Sequence, residues 1–164
     1  MDESERGEAF ERAMRLFRLG YEQQMEGNLD RAIEAYQASI RAFPTTEAHT
    51  FLGWTYSFQG RLDDAIAECH KAIEIDPEFG NPWNDIGAYL IEQKRLDDAI
   101  PYLERATRAR RYESPCFAHF NLSRIWGAKG QLRRAAEALR SALETNPDYA
   151  PARDALERLE SQLH

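Results

Sequence analysis

The chain has 164 residues, enough for one ordinary domain, and its 43% hydrophobic and 30% charged composition excludes a disordered chain. A formal charge of −7 and a pI near 5.2 argue against generic binding to nucleic acid or anionic membranes, which relies on net basic surface. Two cysteines, Cys69 and Cys116, make no disulfide framework and point to a reducing compartment, while the acidic start MDESERGEAF does not read as a signal peptide.

In chain order, the first signal is an apolar stripe at Leu16, Leu19 and Gly20, ended by Gly27. Residues 1–12 read either as an extension of this helix or as loose chain. A second helix follows, with Leu29, Ala32, Ile33, Tyr36, Ser39 and Ile40 on one face at three-and-four spacing. Pro44 stops it.

The same phrase then returns three times. His49, Leu52, Gly53 and Tyr56 precede Gly60, then come Leu62, Ala65, Ile66, Cys69, Ala72 and Ile73, and Pro77 closes the unit. Trp83, Ile86, Gly87 and Leu90 precede Lys94, then come Leu96, Ala99, Ile100, Leu103 and Ala106. This third unit has Arg111 where the others have proline, and Ser114-Pro115 opens the next helix as N-cap and first turn. His119, Leu122 and Trp126 precede Gly130, followed by Leu132, Ala135, Ala136, Leu139, Ala142 and Leu143 and by Pro147. The alanines 32, 65, 99 and 135 are spaced by 33, 34 and 36 residues, a period that marks a solenoid of helical hairpins. Gly20, Gly53 and Gly87 are expected to face these alanines, and Lys94 to sit in a left-handed position that suits glycine. Tyr149, Ala152, Leu156 and Leu159 give one last amphipathic helix, a cap on the array.

His49-x2-Leu52-Gly53-x2-Tyr56, Ala65-x3-Cys69 and Pro77 resemble the tetratricopeptide repeat signature, as do Trp83-x2-Ile86-Gly87-x2-Leu90 with Ala99-x3-Leu103 and the run Gly60-Arg-Leu-Asp-Asp-Ala-Ile. The resemblance implies an all-α, right-handed superhelix of four hairpins, at about residues 13–45, 46–79, 80–115 and 116–149, with a capping helix at 149–163, in a single domain. It also implies a non-catalytic scaffold or adaptor, whose first helices line a concave groove for a protein or peptide segment. No cofactor, metal or membrane insertion is implied, and the location expected is cytoplasmic.

On that alignment the groove should carry Phe17, Tyr21 and Gln24, then Thr50, Trp54 and Phe58, then Asn84, Asp85, Ala88 and Glu92, then Phe120, Asn121 and Arg124. Exposed aromatics are frequent binding hot spots. Asn84 and Asn121 suit a peptide backbone, since each donates and accepts, and Arg124 suits a carboxylate. The chaperone-binding subfamily grips a C-terminal carboxylate with lysines, an arginine and asparagines; the matching places here hold Phe17, Tyr21, Phe51, Asn81 and Asp85, which argues against that clamp.

Other chemistry is sparse. Asp63-Asp64 and Asp97-Asp98 fall in first turns of helices, where acids favour the helix dipole. His49 and His119 take the place of a bulky aromatic on a packing face. Arg105, Arg108, Arg110 and Arg111 make a local basic cluster, a secondary site for an acidic partner. No HExxH, phosphate loop or GxSxG occurs, and Cys116 near His119 is the one Cys/His proximity. The alternative to an adaptor is a self-association module, in which a groove receives another copy; an enzyme stands third.

Overall fold

The computed structural model describes residues 1–163, and among these it holds nine α-helices: α1 Glu3–Met25, α2 Leu29–Ala42, α3 Thr46–Phe58, α4 Leu62–Ile75, α5 Gly80–Glu92, α6 Leu96–Thr107, α7 Pro115–Ala128, α8 Leu132–Thr145 and α9 Ala150–Leu163. Successive helices pair as hairpins, α1 with α2, α3 with α4, α5 with α6 and α7 with α8, and α9 packs on α8. The fold is all-α, a set of helical repeats as the period demands. None of the described helices is long and apolar enough to cross a membrane.

The chain divides into two compact units, Met1–Pro77 and the part from Glu78 onward. Unit 1 holds α1–α4 and unit 2 holds α5–α9. The acidic excess is confined to the first. Residues 1–77 carry fifteen acidic and eight basic side chains, whereas the remainder carries thirteen of each.

In unit 1, α1 starts at Glu3 with a reciprocal capping box: the Glu5 amide donates to Asp2 Oδ1 at 2.8 Å and the Asp2 amide donates to Glu5 Oε2 at 2.9 Å. Leu19 is 45% exposed, although the equivalent Leu52 is 2% exposed. The difference is positional, because α3 packs on α2 as well as α4, whereas α1 packs chiefly on α2. The hairpin crossings are tight where the small residues recur. A Cβ on Gly20 would come within 2.6 Å of the Tyr36 ring, and one on Gly53 within 2.9 Å of the Ala65 carbonyl oxygen. Polar bonds seal the same crossings. The Tyr36 hydroxyl donates to Gln24 Oε1 at 2.7 Å, Ser39 donates to the Ala13 carbonyl at 2.7 Å, and Thr46 donates to the Ala72 carbonyl at 2.9 Å.

In unit 2, Gly87 lies directly under the buried Leu103 side chain. Gly20 and Gly87 therefore oppose the residue one turn beyond the expected alanine, Tyr36 and Leu103, which shares that alanine's helix face; Gly53 meets its alanine through the backbone. Gly27, Gly60 and Gly130 end their helices at φ +83°, +76° and +73°, and Lys94 holds the corresponding place at φ +60°.

The irregular connection between α6 and α7 is held by Glu78. Its Oε1 accepts from Arg105 at 2.8 Å and its Oε2 from the Arg110 amide at 3.0 Å. The Arg111 amide donates to the Glu78 carbonyl at 2.9 Å, and the Gly80 amide to the Arg111 carbonyl at 3.0 Å. The Arg110 amide, aided by Arg105, outweighs burial and holds the Glu78 carboxyl below its ordinary range. Ser114 takes the N-cap position expected of it, but its side chain makes no capping bond, so Pro115 in the first turn starts α7 without that help.

Candidate functional site

Thirteen residues were expected along a groove. Six of them lie in unit 1, on α1 and α3, and seven in unit 2, on α5 and α7.

In unit 1 the aromatic rings form an unbroken series. Phe17 meets Phe51 edge-on at 5.2 Å between centroids, and Tyr21 meets the same ring at 5.9 Å. Phe51 then meets Trp54 at 5.8 Å, and Trp54 meets Phe58 at 5.1 Å. Buried Tyr36 supports Phe17 from below at 5.6 Å. Helical spacing explains the series, since residues 51, 54 and 58 share one face of α3, and residues 17 and 21 one face of α1. Phe17, Phe51 and Trp54 are half-buried by one another, whereas Tyr21 at 44% and Phe58 at 58% exposure stand open at its ends.

Thr50 and Gln24 depart from the expectation. Thr50 is 3% exposed and its hydroxyl donates to the Thr46 carbonyl of its own helix; Gln24 is 6% exposed and bonded to Tyr36. Phe51, not foreseen as part of this surface, is its hub. It sits two residues before Gly53, the register of Asp85 before Gly87 and Asn121 before Ser123, and comparing the repeats column by column would have found it.

In unit 2 the two asparagines turn to each other. Asn121 Nδ2 donates to Asn84 Oδ1 at 3.0 Å, and Arg124 donates to Asn121 Oδ1 at 3.2 Å. Both asparagines are 9% exposed, so their amides tie α7 to α5 rather than wait for a peptide backbone. Arg124 remains exposed. Asp85 keeps a partial opening to solvent, yet the protein around it desolvates its carboxyl and pushes it up to about 7. Tyr112, from the α6–α7 connection, covers Gly80 and lies in the field of Asp85, Cys116 and Tyr149. Burial raises the Tyr112 phenol above the ordinary tyrosine value, and its hydroxyl is buried with no hydrogen-bond partner. Phe120 packs edge-on against Tyr149 at 5.6 Å as part of the core beneath α9.

The arginine cluster is divided. Arg105 bonds Glu78 and lies over the Trp83 ring at 5.3 Å, and Arg111 lies over the Phe79 ring at 4.4 Å, so both hold local structure. Arg108 and Arg110 are exposed. The aspartate pairs do stand in first turns of α4 and α6, with Asp64 and Asp98 bonded to Arg61 and Arg95. Cys116 is 2% exposed, and burial pushes His119 below the ordinary histidine range, with Glu144 pulling the other way. Among the described residues no group of three or more His, Cys, Asp or Glu is arranged to hold a metal ion.

Comparison with known proteins fits this architecture. A Tetratricopeptide repeat family model matches residues 17–78 and a second one matches residues 58–114. A peroxisomal targeting signal receptor of Eremothecium gossypii is 32% identical over 121 residues, covering 71% of this chain and 21% of the receptor. A STIP1 homolog of Dictyostelium discoideum is 32% identical over 108 residues, covering 62% of this chain and 19% of that protein. The chain thus spans about a fifth of the length of these relatives. Among solved structures, pilF of Pseudomonas aeruginosa superposes with a TM-score of 0.86 at 22% identity, over 96% of this chain and 70% of that one, which is a likeness of fold. Helical hairpins at this period, glycine and alanine at the crossings, and the two family matches place this chain in the tetratricopeptide repeat family.

Proposed function

We propose that this chain is a non-catalytic protein-interaction scaffold whose unit 1 receives the apolar side chains of a partner segment on the Phe17–Phe51–Trp54–Phe58 series. The observation that carries this reading is exposure at the ends of that series. Phe58 is 58% and Tyr21 44% exposed, although the rings between them are close-packed. Covering the open part of such a ring regains on the order of 1 kcal/mol each. The rings between are already fixed by their neighbours, so binding immobilises little side chain. The targeting-signal receptor among the relatives is in keeping with a role in receiving a protein segment.

The test is affinity capture from a host lysate with the wild-type chain and with a Tyr21→Ser/Phe58→Ser variant of unchanged melting temperature. Partners lost by the variant support the aromatic surface, whereas partners kept equally by both refute it. A wild-type mass that rises with concentration, and does not rise in the variant, would make a second copy the occupant.

A further inference from the structure

We infer that the partner segment received by unit 1 joins its apolar side chains to a lysine or arginine, and that Glu22, Glu26 and Asp30 hold this cation beside the open end of the aromatic series. The inference rests on the reading of that series given above. The two first helices of unit 1 lie side by side, since the Phe17 and Tyr21 rings both meet Phe51. Their C-terminal ends correspond. Met25 stands two residues before Gly27, and Phe58 two before Gly60. Both side chains are open, at 53% and 58% exposure. Met25 also shares a face of α1 with Tyr21, one turn away. The apolar surface is thus least covered where α1 and α3 finish.

That end is also acidic. Glu22 and Glu26 follow directly on Tyr21 and Met25, one turn apart, and both are exposed. Asp30, in the first turn of α2, is tied to the end of α3 by Gln59, whose Nε2 donates to Asp30 Oδ1 at 3.3 Å. Glu26 likewise meets an amide, Asn28 Nδ2 at 3.3 Å. No basic side chain stands in the last turn of α1 or of α3, where the carbonyl ends of both helices add negative potential. Arg61, which follows α3, is engaged by Asp64 at 2.9 Å and by the Tyr56 ring at 4.1 Å. Arg18 and Arg31 make no ion pair with the three carboxylates among the described residues. Charge therefore selects the occupant. A segment with a carboxylate or phosphate beside its apolar side chains is repelled here, and a neutral one leaves the three acids to solvent. A lysine or arginine lays its aliphatic stem along apolar surface and turns its charge to the acids. Exposed ion pairs contribute modestly, so the cation orients and selects the segment while apolar contact supplies most of the affinity.

The experiment is selection of a random peptide library on phage against the whole chain. Affinities of the selected peptides are then measured for wild type, for Tyr21→Ser/Phe58→Ser and for Glu22→Gln/Glu26→Gln/Asp30→Asn, at matched melting temperatures. Peptides lost by the aromatic variant should share a lysine or arginine beside apolar residues and bind the acid-neutral variant about threefold to tenfold more weakly. Replacing the shared cation by glutamine in the peptide should weaken binding to wild type by a similar factor and hardly change binding to the acid-neutral variant, the coupling that a double-mutant cycle reads. The peptide replacement alone tests the cation on the wild-type chain, should the acid-neutral variant fold poorly. Peptides lost by the aromatic variant that share no cation, or that bind the acid-neutral variant as tightly as wild type, would overturn the proposal and leave the aromatic surface standing. Peptides held equally by the aromatic variant and wild type, or a pool with no enrichment, would overturn both.

Discussion

His49 Nδ1 stands 2.6 Å from Glu68 Oε2 across the α3–α4 crossing, where the repeat signature carries a bulky aromatic. The two side chains are only 10% and 12% exposed, and Lys71 closes the group with a 3.0 Å bond to Glu68 Oε1. Burial alone would raise the Glu68 carboxyl, but the bonds from His49 and Lys71 outweigh it and hold the group below its ordinary 4.5. A depressed carboxylate contributes stability that is complete above the unfolded value and is lost as pH falls through the folded one. Glu68→Gln is expected to cost about 1–3 kcal/mol at pH 7. Urea midpoints measured at pH 7 and pH 3 should show the gap from wild type narrowing at the lower pH.

Gly53→Ala tests the closeness of that same crossing. The new Cβ would meet the Ala65 carbonyl oxygen at 2.9 Å, and a backbone atom inside a helix cannot swing aside. Overpacking of this kind costs roughly 1–3 kcal/mol. Gly7→Ala on α1 is the control, since nothing lies within 4 Å of its Cβ site and alanine is the better helix former. Thermal denaturation should show the first variant less stable and the second no less stable than wild type.

Lys94 offers a gain. At φ +60° it holds a conformation that the other three hairpins give to glycine. Lys94→Gly removes the left-handed penalty of about 1 kcal/mol, less what glycine adds to the freedom of the unfolded chain, so a stabilisation of a few tenths to 1 kcal/mol is expected. Gly60→Ala, at φ +76°, should lose about as much. Equal denaturation midpoints for Lys94→Gly and wild type would show that the strain is absorbed elsewhere.

Tyr112→Phe tests an orphaned hydroxyl. The hydroxyl is buried without a partner, so deleting it removes a desolvated polar group and leaves the packing on Gly80 intact. The variant is expected to match or exceed wild type in stability, by up to about 1 kcal/mol. A clear loss of stability in urea would mean that the hydroxyl has a bond in the folded chain.

The helices were legible because their signals are local and repeated. Alanine and glycine at crossings, glycine at helix ends and proline after them each recur at one beat, and nine helices appear among the described residues where these marks fall. What polar side chains do was less legible. Asn84 and Asn121 look like free amides in sequence and are bonded to each other across 37 positions, since the rotation of α7 against α5 decides it. Thr50 shares a register with Phe17 and is buried against its own backbone. Arg105 and Arg111 read as a basic patch until Glu78, Trp83 and Phe79 are placed beside them. Tyr112 lies in the one connection that breaks the period, where no repeat column could flag it. Phe51 was legible in principle, because it occupies a column that the other repeats fill with charged or amide residues.

The uneven division of charge has a consequence for how the molecule responds to its solvent. With fifteen acidic against eight basic side chains, the helices of residues 1–77 repel themselves, whereas those beyond are balanced at thirteen against thirteen. Repulsion among exposed groups fades once the screening length drops to about 10 Å near 0.1 M salt. Dilute buffer therefore loosens α1–α4 selectively, and moderate salt firms them while leaving α5–α9 nearly unchanged. In amide exchange followed from low to moderate ionic strength, protection is gained on one side of Pro77 and not on the other.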